Sequence, residues 1–318
     1  MVTEKMYSLA IRKRNNENDY FWNHKDYEFS ECHINCKGRY WLADPFIFEK
    51  DDIVYIFYEA FDLIERKGKI AYSIMKNNGS FTEPTIILNE KYHLSFPYIF
   101  EYKNDIYIMP ESSSDYRVKL FKATLFPNQW EPADIILPDI YACDSIFITN
   151  KEERYLHINE MYHNTPNGSY SSCWVKNYIY KLNGFKTQLE AIKISEGDYG
   201  IRNAGKSFYI GNKLYRPGQD CRNNQYGKGI VLFEIETIIP YKEKRIWTKD
   251  YEEFMSHINC KKTSSIIGVH TYNFSKHYEI IDYSQYRPLN INLRLRRFVW
   301  RLTNMIYNKL KNKHLHIK

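Results

Sequence analysis

The sequence predicts an all-β protein: a five-bladed β-propeller, residues 1–286, followed by a basic amphipathic helix, residues 287–318. Three observations lead there. Aromatic residues make up 17% of the chain, with 29 Tyr and 18 Phe, and these side chains favour pleated, half-buried strands. One strand–turn–strand pattern recurs five times at a regular interval. The last thirty or so residues change character, to helical periodicity and one sign of charge.

The repeats are ADPFIFEKDDIVYIFYEAF from Ala43, SFPYIFEYKNDIYIMPESS from Ser95, CDSIFITNKEERYLHINEM from Cys143, NAGKSFYIGNKLYRPGQDC from Asn203 and GVHTYNFSKHYEIIDYS from Gly268. Phe48 precedes Tyr55 by seven residues; Phe100 and Tyr107, Ile148 and Tyr155, and Phe208 and Tyr215 keep the same interval. Further strand-like runs follow the first four hairpins: IAYSI and PTIIL, KLFKA and ADIIL, NYIYKL and LEAIKI, GIVLFEIE and KEKRIW. Four short strands per repeat, with repeats 48 to 63 residues apart, is the pattern of propeller blades. The fifth repeat is too short for four strands. The run MYSLAIRK near the N-terminus is expected to complete it, which would also remove an open sheet edge.

Equivalent positions of a propeller converge on its axis. Asp44 and Asp144 share one register, held by Phe96 in the second repeat and Ala204 in the fourth. Four residues after each repeat Tyr comes a polar side chain: Glu59, Glu111, Asn159, Gln219 and Asp282. Clustered carboxylates raise one another's pKa, so one can stay protonated as an acid beside an ionised base, as glycosyl chemistry requires. The structural alternative is that these groups bond neighbouring blades. Arg202 and Arg216, with Gln219 and Asp220 in RPGQDC, suit either internal ion pairs or an anionic sugar substrate. His270 suits acid/base work or a satisfied hydrogen bond.

No secretion signal or membrane-spanning run is evident, and six irregularly spaced cysteines form no disulfide framework, so a cytoplasmic protein is expected. Cys32, His33 and Cys36 lack partners at metal-ligand spacing, no P-loop or GxGxxG occurs, and no metal or other cofactor is expected. The net charge of +7 is uneven: Arg287 to Lys318 carries nine Lys and Arg and no Asp or Glu, leaving 7 − 9 = −2 on residues 1–286. A body of that charge argues against nucleic acid as a partner. Within residues 289–312, Ile291, Leu295, Phe298, Val299, Leu302, Met305, Ile306 and Leu310 form a helical stripe. The expectation is a helix that lies on an anionic membrane surface, at the inner face of a membrane, or else packs on the propeller.

The motifs ADPFIFE, HLSFPYIFE, IYIMPES, LYRPGQDC and GVHTYN fall in the order in which they occur in a known family. Over roughly residues 40–285 the chain resembles the N-terminal domain of plant glucosamine inositolphosphorylceramide transferase and its bacterial relatives. The resemblance implies a propeller like that of the arabinanase and fructosidase glycoside hydrolases. It implies Asp44 as base or nucleophile, Asp144 as the second Asp and Glu111 as the acid, although the hydrolase acid usually comes from a later blade than the second. No separate glycosyltransferase domain is expected within these residues. Glu59, Arg202, Arg216, Gln219, Asp220 and His270 would hold a sugar or sugar-nucleotide. Three functions follow: a glycosyltransferase-like enzyme for a surface polysaccharide or glycolipid, a glycoside hydrolase, or a non-catalytic sugar-binding propeller.

Overall fold

The computed structural model describes residues 3–150, 152–162, 171–188, 190–261 and 263–315. Five sheets follow one another around an axis, antiparallel except where Phe29–Glu31 pairs in parallel with Ile258–Asn259 in the fifth. Blade one runs outward through Tyr40–Lys50, Ile53–Asp62, Lys67–Met75 and Thr85–Leu88. Blade two is Ser95–Tyr102, Asp105–Glu111, Val118–Leu125 and Gln129–Leu137. Blade three starts at Ala142–Asn150 and ends at Ile192–Gly197; blade four starts at Tyr199–Asn203 and ends at Lys242–Asp250.

The recurring seven-residue interval is a hairpin pairing. Phe48 lies directly opposite Tyr55, Phe100 opposite Tyr107, Ile148 opposite Tyr155 and Phe208 opposite Tyr215. Cross-strand pairs of this kind are the local unit of sheet stability. Between blades the aromatics meet edge to face. Phe46 meets Phe96 with ring centres 5.0 Å apart, and Phe100 meets Phe147 at 5.1 Å. Each such pair contributes about 0.5–1.5 kcal/mol beyond its buried area.

Blade five closes the ring as the sequence predicts. The strand Thr3–Lys13, which contains MYSLAIRK, pairs over its whole length with Tyr278–Pro288. Phe29–Glu31 then covers its outer edge.

The C-terminal helix, Ile291–Leu315, leans on the propeller through buried Leu293 and Arg297 and half-buried Trp300. Arg297 holds Glu4 with two hydrogen bonds of 2.6 and 2.8 Å and donates to the carbonyl of Leu63. The predicted apolar stripe does not make this contact. Ile291, Leu295, Phe298, Val299, Leu302, Met305 and Ile306 are exposed; the side chain of Leu310 lies outside the described residues. Among the described residues no helix is long and apolar enough to cross a membrane.

Candidate functional site

A cleft of about 340 Å³ opens at one end of the axis. Its wall takes Asp44 and Glu59 from blade one, Glu111 from blade two, Arg202 from blade four and His270 from blade five. Asp144 of blade three lies against Arg202 and is 2% exposed. Gln219 stands behind it and donates to Asp144 Oδ2 at 3.0 Å.

The shared register of Asp44, Phe96 and Asp144 has a backbone cause. Each sits at a β-bulge where its inner strand gains a residue over the next. Each adopts left-handed φ, 51°, 43° and 43°. That conformation strains a side-chain-bearing residue by roughly 1–2 kcal/mol, and Asp tolerates it better than Phe. The bulge also frees the amide of Asp44, which donates to Asp282 Oδ2 at 2.9 Å, while the amide of Phe96 donates to Asp44 Oδ2 at 3.1 Å.

His270 lies between two acids. Its Nε2 is 3.1 Å from Asp44 Oδ1, and its Nδ1 is 2.8 Å from Asp282 Oδ1, out of line for a hydrogen bond. Burial works against charge on the ring, but Asp282 and Asp44 outweigh it and push its pKa up to about 9. Burial raises the pKa of Asp44 and the His270 cation pulls the other way, with a net rise. Asp282 stays low, because burial is overcome by His270 and by the amides of Asp44 and Thr271.

Arg202 gathers the other acids. Its Nε donates to Asp144, its Nη2 lies 3.5 Å from Glu111 Oε2, and its Nη1 donates to the carbonyl of Ser172 at 3.1 Å. Its guanidinium also lies over the Tyr226 ring, 5.0 Å from the centre. Carboxylate oxygens of Glu111 and Asp144 approach within 4.8 Å. Burial and the Glu111 charge lift the Asp144 pKa to about 7 even against Arg202.

Glu59 is different. It is 4% exposed, and its Oε1 has no hydrogen-bond partner among the described residues. Burial first, then Asp44 and Glu111, drive its pKa well above the usual carboxylate range. His93 Nε2 stands 3.5 Å away. The Nδ1 of His93 accepts the amide of Gly68 at 2.9 Å, and burial lowers the ring's pKa. His93 is therefore neutral, with its proton on Nε2, facing Glu59.

Four sequence candidates do not line the cleft: Asp144 and Gln219 stand behind Arg202, and Arg216 and Asp220 lie elsewhere in blade four. Arg216 is fully buried in a bidentate pair with Glu243, both bonds 2.7 Å, inside blade four. Asp220 is buried against Arg222. Arg216 and Asp220 take the ion-pairing alternative because a partner lies within reach on the same blade. The sequence reading missed His93, Tyr7, Trp41, Phe61 and Tyr226, all of which line the cleft. His93 and Trp41 stand in or beside quoted motifs, but nothing local marks them.

Among the described residues, two clusters have donor atoms near enough to share a cation: Asp44, His270 and Asp282, and Glu111, Cys143 and Asp144. Neither set is well suited to one. His270 is itself cationic and Asp282 is occupied by backbone amides; Arg202 already fills the place beside Asp144.

The family model for the N-terminal region of glucosamine inositolphosphorylceramide transferase 1 matches residues 31–280. The chain belongs to this family. Its curated relatives include the transferase of Arabidopsis thaliana, 33% identical over 213 residues, which cover 62% of this chain and 26% of that protein. The transferase of Oryza sativa subsp. indica is 29% identical over 234 residues, covering 68% and 29%. The chain thus spans under a third of these relatives' length. In fold it is similar to the catalytic domain of the Coprinopsis cinerea GH62 α-L-arabinofuranosidase, at 8% identity, TM-score 0.57 and coverage of 87% and 97%. An exo-1,5-α-L-arabinanase from a bovine ruminal metagenomic library matches at 13% identity, TM-score 0.52 and coverage of 80% and 94%. At such identities the likeness is one of fold.

Proposed function

We propose that this protein is a carbohydrate-active enzyme of the glycosyltransferase-like kind, working on a sugar carried by a surface polysaccharide or glycolipid precursor. One observation carries the reading: acids of blades one and two line one cleft, Asp144 of blade three stands behind Arg202, and their surroundings differ. The pKa of Glu59 is driven well above the usual carboxylate range, Asp44 is paired with a cationic His270, and the Asp144 pKa is lifted to about 7 beside Arg202. Family membership favours transfer over other sugar chemistry.

In this reading the anomeric carbon lies between Asp44 and the Glu111–Asp144 pair. Asp44 faces the developing positive charge of the sugar ring. One carboxylate of the Glu111–Asp144 pair takes the proton of the acceptor hydroxyl as its oxygen bonds to carbon, and the bond to the leaving group breaks. Arg202 holds the two side chains together. Trp41 and Phe61, stacked with ring centres 4.4 Å apart, form an apolar wall for the sugar's C–H face.

A second reading, glycoside hydrolysis, is favoured by Glu59. An alkoxide leaving group needs a proton, which Glu59 can supply, whereas a nucleoside diphosphate leaves without one. Panels of sugar nucleotides and of aryl glycosides, offered to the full chain, distinguish the two. Nucleotide release lost in Asp44→Asn supports transfer. Aryl glycoside cleavage lost in Glu59→Gln supports hydrolysis. Sugar binding by calorimetry with neither turnover leaves a binding propeller.

A further inference from the structure

We infer that the C-terminal helix lies in the interface of an anionic membrane, and that it brings the mouth of the cleft to the lipid headgroups. The inference stands on the helix itself and does not require the glycosyl reading of the cleft.

The helix has two apolar faces with different fates. Leu293, Arg297 and Trp300 face the propeller. At about 100° per residue, Ile291, Leu295, Phe298, Val299, Leu302, Met305 and Ile306 fall on the opposite side. These seven side chains are 41–68% exposed. A contiguous stripe of large apolar groups turned to water marks a surface that is covered in use.

Charge says what covers it. Arg294 and Arg301 flank one side of the stripe and Arg296 the other, and all three are exposed. From Arg287 to Lys318 the chain has nine Lys and Arg and no Asp or Glu. An apolar stripe between cationic margins fits acyl chains below anionic headgroups. A second copy of the same helix fits it poorly: its arginines would meet arginines, and neither helix offers an acid to pair with them.

Position links the helix to the cleft. Its base rests on Met6, Leu63 and Ile64, and Trp41 and Phe61 pack on that same cluster. Trp41 and Phe61 also line the cleft. The helix and the cleft mouth therefore occupy the same end of the propeller.

The test is sedimentation of the full chain with vesicles of phosphatidylcholine alone and of phosphatidylcholine with phosphatidylglycerol. Binding is expected only to the second, and it should weaken with added salt. Arg294→Gln or Arg301→Gln should each reduce partitioning about fivefold. The double variant Phe298→Asp, Leu302→Asp should abolish binding while its thermal unfolding stays at the wild-type temperature, since both side chains are exposed. Failure of the wild-type chain to bind the anionic vesicles overturns the inference. So does a dimer in lipid-free ultracentrifugation that the double variant dissolves, which would make a second copy the occupant. Asp144→Asn should bind vesicles like the wild type, so a cleft that proves inactive leaves this inference untouched.

Discussion

Arg202 of blade four donates from Nε to Asp144 of blade three, a buried ion pair joining strands 58 residues apart. Its Nη2 end faces Glu111 of blade two. One guanidinium thus fixes two acids contributed by two other blades, and removing it leaves both in a low-dielectric wall.

Arg202→Met is therefore expected to destabilise the fold by about 3–5 kcal/mol, the usual penalty for breaking a buried pair. Arg202→Lys should recover little, because an ammonium cannot reproduce the fork. Urea unfolding midpoints check both. Turnover on whichever substrate the panels identify should fall in both variants.

Glu59→Gln separates stability from chemistry. A buried acid whose folded pKa is raised takes up its proton more readily folded than unfolded, so its contribution to stability falls as pH rises from its unfolded pKa to its folded one. Burial, Asp44 and Glu111 place the folded pKa of Glu59 far above the unfolded value. Glutamine cannot ionise. Glu59→Gln should be as stable as the wild type near pH 5 and more stable at pH 9, measured by thermal unfolding across that range. If Glu59 delivers the leaving-group proton, kcat should drop about 10²–10⁴-fold.

His270 loses stability in the same direction, over a higher pH window. Its pKa rises from 6.5 to about 9 on folding. The stability it contributes is fully present below about pH 6.5 and is lost as pH climbs through 9. A shift of that size corresponds to about 3 kcal/mol at 1.36 kcal/mol per unit. Wild-type stability should show this fall between pH 6.5 and 9, and His270→Gln should lack it. A wild-type curve that is flat over this interval would mean that the ring is neutral in the fold.

Legibility in the sequence followed distance along the chain. The hairpins were readable because Phe48 and Tyr55 are partners seven residues apart and the spacing repeats. The closing strand was readable because the fifth repeat was visibly incomplete. Asp44 and Asp144 stood out by sharing a register that other repeats fill with Phe and Ala, and the bulge at that register explains why. The fates of Arg202 and Arg216 were not readable. Both are buried arginines of blade four. Glu243 captures one 27 residues away, while the other reaches acids 58 and 91 residues away. His93 was missed for the same reason, since its ring, on the link between blades one and two, gains meaning only from Gly68, 25 residues away, and Glu59.

Gly68 packs tightly against Glu59 and the Leu94 backbone. A Cβ there would come within 2.2 Å of the Leu94 carbonyl and 2.5 Å of Glu59 Oε1. The carbonyl belongs to backbone and cannot swing away. Gly68→Ala is expected to push blades one and two apart locally, at a cost in the range of about 1–3 kcal/mol typical of overpacking. It should also alter the titration of Glu59. Unfolding at pH 5 and pH 9, compared with Glu59→Gln, tests both parts.

The last expectation concerns closure of the ring. Thr3–Lys13 aligns with Tyr278–Pro288 at every residue, from Thr3 opposite Pro288 to Lys13 opposite Tyr278. The two strands lie at opposite ends of the chain, so their pairing is the clasp on which every blade-to-blade contact depends. Ala10 is central to it, fully buried and flanked by Ile281 on one side and Glu31 on the other. Proline at this place removes a ladder hydrogen bond in the middle of a sheet, where its ring is not accommodated. Ala10→Pro is expected to lower the unfolding free energy by about 3 kcal/mol or more, and to expose the edge of Tyr278–Pro288 to aggregation. Equilibrium unfolding in urea, with light scattering on the same samples, provides the check. An Ala10→Pro chain that stayed monomeric with an unchanged midpoint would show that blade five is held by its inner strands alone.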